Sequence, residues 1–111
     1  MTETLDPEDA KIITLARSVR ARNGSTEGAA VRDETGRTYA ASGVDLPSLQ
    51  LTAVQVAVAM AVTSGAKALE ATALVTEADG PAEQDLSVME DLHNGTLLLA
   101  GPDGSLKGRH V

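Results

Sequence analysis

Residues 28–44, GAAVRDETGRTYAASGV, contain the pattern that decides the fold. Two runs rich in small and β-branched residues, 28–33 and 37–44, flank the turn signal Glu34-Thr35-Gly36. Such runs around a short glycine-containing turn predict an antiparallel β-hairpin. We therefore expect the hairpin to form the first two strands of a sheet.

The rest of the chain predicts helices and strands in alternation. Asp6-Pro7 is typical of a helix start and Asn23-Gly24 of its end. After the hairpin we expect a helix over 49–64 with Ser48 or Thr52 as its cap, a strand over 69–76, a helix over 83–92 that stops at Asn94-Gly95, a strand over 96–100, a turn at 101–104, and a short tail over 105–111. This order predicts an α/β fold: one domain over residues 1–111, with a mixed sheet of about four strands covered by helices.

The composition indicates a small aliphatic core. The chain has 111 residues, 42% of them hydrophobic, with no Phe or Trp and with Tyr39 as its only aromatic residue. Apolar residues cover most of the circumference of the predicted helix over 49–62, so that helix should be buried on more than one side. In so small a protein, part of that cover is expected from another subunit, in a dimer or tetramer.

Charge and cysteine content exclude several classes of partner and site. The net charge is -7, which argues against nucleic acid and against anionic membrane surfaces as partners. The absence of cysteine excludes disulfides, thiolate metal sites and cysteine nucleophiles. The acidic start lacks the pattern of a signal peptide, and the longest apolar segment is too short to span a bilayer. A cytoplasmic protein is expected.

The hairpin and the element order together resemble the cytidine deaminase-like family, in particular its small homotetrameric nucleoside deaminases. The local resemblance lies in Gly28-Ala29-Ala30-Val31, the turn at Gly36, Tyr39, and Val44-Asp45. It extends over about residues 7–107 and implies a three-layer α/β/α sandwich. The C-terminal segment of the family would begin where this chain stops, so we expect a sandwich truncated at the C-terminus.

The resemblance also implies where a zinc site would lie. Family members bind one zinc through Cys-Ala-Glu and Pro-Cys-x-x-Cys, and the glutamate shuttles protons. Carried over residue by residue, the first cysteine falls on Thr52 and the glutamate on Val54, while the other two cysteines fall on Ala82 and Asp85. We therefore expect a degenerate member with no metal, no cofactor and no catalytic residue, in which Val54 and Ala82 pack as ordinary core.

The substrate-binding positions of the family are also altered. The Asn-x-Glu that holds the ribose falls on Gly43 and Asp45, and the stacking aromatic falls near Ser25. Asp45 is thus the one candidate ligand-binding residue, although a structural role at a strand end is an alternative.

A different metal site is a further alternative. His93 follows Glu90 by three residues on a predicted helix, and Asp85 lies roughly on the same side. The competing interpretation places His93 at the helix C-terminus, where it favours the helix dipole and binds the last carbonyl groups.

These observations favour a catalytically inactive protein that acts as an oligomeric interaction or scaffold protein. Its contact surface would be the helix over 49–62, with a further protein as a second kind of partner. The alternatives are a non-catalytic binder of a nucleoside or another small molecule in the old pocket, an active deaminase, and an enzyme of unrelated chemistry.

Overall fold

The computed structural model describes residues 5–93 and 96–110. The elements, in chain order, are α1 (Pro7–Asn23), β1 (Glu27–Asp33), β2 (Thr38–Ser42), β3 (Val44–Leu46), β4 (Leu49–Leu51), α2 (Ala53–Thr63), β5 (Leu69–Thr76), α3 (Glu83–Asp91), β6 (Leu97–Ala100) and β7 (Leu106–His110). The predicted end of the third helix at Asn94-Gly95 lies outside the described residues. Among the described residues, no helix combines the length and the apolar content that crossing a membrane requires.

Five strands form one mixed sheet in the order β2-β1-β5-β6-β7, and β3 and β4 form a separate hairpin. β1 is antiparallel to both β2 and β5, β5 and β6 are parallel, and β7 returns antiparallel to β6. The parallel pair is connected through α3, as expected for a βαβ crossover. The predicted α/β class and mixed sheet are confirmed.

Alternate residues of the central strands point to opposite faces of the sheet, and each face is covered by helices. Ala30, Ala73 and Leu98 belong to a core cluster with residues of α1. Val31 and Leu74 belong to a second cluster with residues of α2 and α3. The result is the three-layer α/β/α arrangement that the resemblance implied.

The hairpin between β1 and β2 is closed by a buried carboxylate. Asp33 is only 2% exposed, and it accepts hydrogen bonds from the Thr35 N–H (2.9 Å), the Thr35 hydroxyl (2.7 Å) and the Arg37 N–H (3.0 Å). Burial by itself raises the pKa of Asp33, but these hydrogen bonds and the charge of Arg37 outweigh it and hold the pKa below its ordinary value. The turn predicted at residues 34–36 is therefore fixed by a side chain that precedes it.

The helix predicted to start at Leu49 begins at Ala53 instead. Thr52 has an extended backbone (φ -72, ψ 163), and it caps α2 together with Gln55 in a reciprocal capping box. The preceding residues Leu49–Leu51 pair with Val44–Leu46 as the β3-β4 hairpin. The apolar run therefore contains a strand and a helix, and the cap decides where one changes to the other.

The predicted strand count was too low, because residues 106–110 of the expected tail form a strand. Leu106–His110 forms β7 at the edge of the sheet, after a turn in which Gly104 has a positive φ of 86. An edge strand pairs with a neighbour on one side only and remains partly exposed, so its side chains need not be apolar. For that reason the sequence of β7 lacks the apolar run by which a central strand is recognised.

Candidate functional site

The first residues of α2 lie beside the first turn of α3. Thr52 Oγ1 accepts the N–H of Gln55 at 3.1 Å, and Gln55 Oε1 accepts the N–H of Thr52 at 3.0 Å. The Thr52 hydroxyl in turn donates to Asp85 Oδ1, with 2.5 Å between the two oxygens. Thr52 therefore takes part in two structures, as the cap of its own helix and as a contact to the next.

Asp85 is a buried acid with donors on both of its oxygens. It is 1% exposed, and its second oxygen, Oδ2, accepts the N–H of Ala82 at 3.3 Å. Ala82 is the N-cap residue of α3, so the carboxylate lies at the N-terminus of one helix and contacts the cap of another. The positive ends of both helix dipoles stabilise a negative charge there.

Val54 and Ala82, which we expected to pack as core, have opposite surroundings. Val54 is 0% exposed and belongs to the apolar cluster between the sheet, α2 and α3. Ala82 is exposed, so that part of the expectation is wrong. The reason is that an N-cap residue lies at the surface where the chain enters the helix, and Ala82 directs its backbone N–H towards Asp85.

A cavity of about 350 Å³ opens beside Thr52. Its lining includes four positions singled out from the sequence, which are Ser25, Gly43, Asp45 and Thr52. The other lining residues are Thr26, Glu27, Val44, Leu51 and Ala53. Segments far apart in the chain, before β1, after β2 and before α2, therefore meet at one place.

The lining of this cavity combines acidic and hydroxyl side chains with apolar ones. Glu27 and Asp45 supply carboxylates, Ser25, Thr26 and Thr52 supply hydroxyls, and the lining contains no Lys, Arg, His or aromatic residue. A second cavity of about 270 Å³ shares part of this lining, including Asp45 and Thr52, and extends to Gln50, Gln55 and Gln84. Such groups accept hydrogen bonds from hydroxyl or amino groups of a ligand, but they offer no surface for base stacking.

The alternative metal set is not assembled. Asp85 is buried and bonded to Thr52 and Ala82, whereas Glu90 and His93 are exposed. His93 lies beyond the end of α3, with a positive φ of 58, and its N–H bonds the carbonyl of Glu90. Across the part of the chain that the structure describes, no three His, Asp or Glu side chains form a group that could hold a metal ion.

Comparison with models of known protein families identifies the family of this chain. The family model described as cytidine deaminase-like matches residues 5–104. The chain belongs to the cytidine deaminase-like family. Comparison with curated protein sequences finds no significant match.

Solved cytidine deaminases have the same fold. The structure of the Burkholderia pseudomallei enzyme superposes with a TM-score of 0.72 at 23% identity, over 86% of this chain and 87% of that one. A mutant cytidine deaminase from Mycobacterium tuberculosis gives 0.68 at 24% identity, over 86% and 85%. The enzyme from Mycobacterium leprae gives 0.69 at 16% identity, over 91% and 92%.

The zinc that the family resemblance implies does not fit the residues at its expected position. Zinc in proteins takes Cys, His or carboxylate ligands, usually three of them with an open fourth position in catalytic sites. Here the three side chains are a hydroxyl, a methyl group and a carboxylate, and the hydroxyl and the carboxylate bond each other. A single carboxylate that is already engaged by two donors is not a zinc site.

Sequence reasoning missed two features of this region. Thr26 and Glu27 line the cavity, although nothing in their sequence context distinguishes them from ordinary residues at a strand start. The bond between Thr52 and Asp85 was also missed. A local signal for each residue did exist, since Thr52-x-x-Gln55 is a capping-box pattern and Asp85 has an acid's usual place in a first helical turn.

Proposed function

We propose that this chain is a catalytically inactive cytidine deaminase-like protein that works as an oligomeric interaction protein. The observation that carries the proposal is the direct hydrogen bond between Thr52 and Asp85, at two of the three positions where the resemblance puts zinc ligands. Residues that satisfy each other leave no set of donors for a metal ion.

The chemistry of the remaining residues supports inactivity. Zinc lowers the pKa of bound water to about 7, far below that of free water, and without that shift the hydroxide nucleophile is lost. General acid–base catalysis contributes about 10²–10⁴-fold, and valine at position 54 cannot transfer a proton. The loss of both contributions leaves no route to deamination of cytosine.

The outward side of α2 supports self-association. None of the 11 residues of this helix is charged, and Met60 and Val62 are 40% and 46% exposed. A helix that is apolar on its solvent side as well as on its core side is typical of an interface. The proposed occupant is a second copy of the chain, because the resemblance is to homotetrameric deaminases. The contact would use Ala53–Thr63, a shorter surface than the sequence predicted.

Two measurements on untagged protein test this proposal. Elemental analysis should find less than about a tenth of a zinc equivalent per chain, and purified protein should release no ammonia from cytidine or deoxycytidine. Light scattering after gel filtration should give two or four times the chain mass of 11.4 kDa. A full zinc equivalent together with turnover would refute inactivity, and a monomer at micromolar concentration would refute the scaffold role.

The surface itself can be tested with matched variants. Met60→Glu and Val62→Glu place a charge on exposed positions of α2 and should shift the protein to monomers, because burying an unpaired charge in an interface is unfavourable. Ser18→Glu adds the same charge on an exposed position of α1 and should leave the mass unchanged. An equal effect of all three variants would point to net charge rather than to this face.

A second candidate function is non-catalytic binding of a small molecule. The cavity of about 350 Å³ favours it, because Asp45 lies in the same lining as Ser25 and Thr52, so three polar side chains border one cavity. A ligand that binds only the folded state must raise the melting temperature. A thermal-shift series of nucleosides and sugars at millimolar concentration should show stabilisation that Asp45→Ala abolishes. No shift with any compound would count against this candidate.

A further inference from the structure

The N-terminal ends of α2 and α3 lie side by side, although they are far apart in the sequence. Thr52 and Asp85 are 33 residues apart, and β5 passes between the two helices in the sequence. Both helices cover the same face of the sheet, and their apolar residues share one core cluster. Core packing fixes the sides of the helices, whereas their N-terminal ends carry polar backbone groups that packing cannot satisfy.

A directional series of hydrogen bonds links these two ends. The N–H of Gln55 donates to Thr52 Oγ1, so that oxygen acts as an acceptor and its own proton is free to be donated to Asp85. The other carboxylate oxygen accepts the N–H of Ala82. Hydrogen bonds arranged in series polarise one another, and a bond to an ionised carboxylate is stronger than a neutral one.

Among the described residues, the hydrogen-bond partners of the Asp85 carboxylate include no cationic side chain. Asp85 is 1% exposed, and its hydrogen-bond donors are a hydroxyl and a backbone N–H. The ends of both helices add favourable potential. A buried acid in a metal site would direct its oxygens at the ion, whereas both oxygens of Asp85 are directed at protein donors.

We infer that the Thr52–Asp85 hydrogen bond is a metal-independent cross-link that joins the N-terminal ends of α2 and α3 at the position where the family places zinc. This inference rests on the proposed function in one respect, the absence of a zinc site. It goes further because it assigns to these two side chains the structural role of a metal ion at this position, which is to hold the two helix ends together. The chain folds fully without metal, and its stability depends on the two residues jointly.

A double-mutant cycle tests the joint dependence. Thr52→Val removes the hydroxyl at nearly constant volume, and Asp85→Ala removes the carboxylate. Each single variant should lower the melting temperature by about 5 °C or more, since each leaves a polar partner unpaired. The double variant should fall short of the sum of the two losses by about 5 °C, because the second change removes a bond that is already broken.

Two controls separate this cross-link from simple helix capping. Thr52→Ser keeps both the cap and the hydroxyl donor and should melt close to the unmodified protein. Gln55→Ala removes the other half of the capping box but no direct bond to Asp85, so its deficit with Asp85→Ala should be much smaller than that of Thr52→Val with Asp85→Ala. Additive losses for Thr52→Val and Asp85→Ala would overturn the inference while leaving the proposed function intact.

Metal dependence supplies a second readout that needs no variant. Urea midpoints of the unmodified protein should be the same after dialysis against EDTA and after addition of zinc chloride. A midpoint that falls with EDTA and recovers with zinc would overturn both the inference and the proposed function. Turnover of cytidine by metal-free protein would refute the proposed inactivity alone, since the cross-link would then coexist with an unrecognised catalytic group.

Discussion

Val54→Glu would return an acid to the position where the family resemblance puts the proton-shuttling glutamate. In this chain the position is 0% exposed and lies in an apolar cluster with Ala57, Val58 and Leu74. A carboxyl group in such surroundings is stable only in its neutral form, and its pKa rises from about 4.3 to about 8–9. The variant should therefore be destabilised in a pH-dependent way.

The magnitude follows from the shift in pKa. At pH 7 the unfolded chain has ionised the acid and the folded chain has not, so protonation costs about 1.36 kcal/mol for each of about 2.7 pH units, or about 3.7 kcal/mol. A domain of this size is stable by about 5–15 kcal/mol. Because the folded pKa is raised, the loss is absent below about pH 4.3 and grows with pH until the folded pKa is reached.

Urea unfolding of Val54→Glu and Val54→Gln at pH 5.5 and 7.5 measures this effect. The glutamine side chain has nearly the same size and polarity but does not ionise, so the glutamine variant is the control for the steric and hydrogen-bonding effects of the substitution. Between the two pH values, the glutamate variant should lose about 2.7 kcal/mol relative to the glutamine variant, a shift of about 1–3 M in the urea midpoint. A difference that does not change with pH would refute the reasoning, because it would mean that the introduced carboxylate reaches water.

Three further predictions concern other parts of the molecule. Replacing Thr52, Ala82 and Asp85 together by cysteine should create a site for one zinc per chain, because the contacts among these residues bring them together. Elemental analysis measures the bound zinc, and the single variant Thr52→Cys should bind none. Asp33→Asn should lower the free energy of unfolding at pH 7. The difference from the unmodified protein should shrink as the pH falls below about 4, because the stabilisation from a lowered carboxyl pKa is lost on protonation. A difference that stays constant down to pH 3 would contradict this. Gly28→Ala should destabilise the fold by about 1–3 kcal/mol in urea unfolding, since its new Cβ would overlap the carbonyl oxygen of Ala16. An unchanged midpoint would show that α1 moves away from the sheet at little cost.

Local patterns in the sequence identified most of the elements. Asp6 and Pro7 marked the start of α1, and Gly24 adopts the left-handed conformation (φ 62) that ends it. The hairpin around Gly36 and the apolar strand Leu97–Ala100 were equally clear. Each of these signals lies within a few residues of the element that it specifies.

The errors occurred where an element depends on a partner distant in the sequence. Residues 49–51 read as part of a helix because leucine suits both helix and strand, and pairing with β3 made them a strand. Leu106–His110 lacks apolar alternation, and only the exposed edge of β6 gives its backbone a partner. Ala82 was expected in the core because the sequence does not show which side of a helix start faces inward.

The sequence by itself determined the fold class, the hairpin, and the absence of cysteine and glutamate from the positions that the family uses. It could do so because composition and short-range periodicity are properties of neighbouring residues. Only the tertiary structure decided that Ser25, Asp45 and Thr52 line one cavity and that Thr52 meets Asp85 across 33 residues. Those contacts depend on how α2 and α3 pack on the same sheet face, and a hydrogen bond between distant side chains leaves no periodic trace in the sequence.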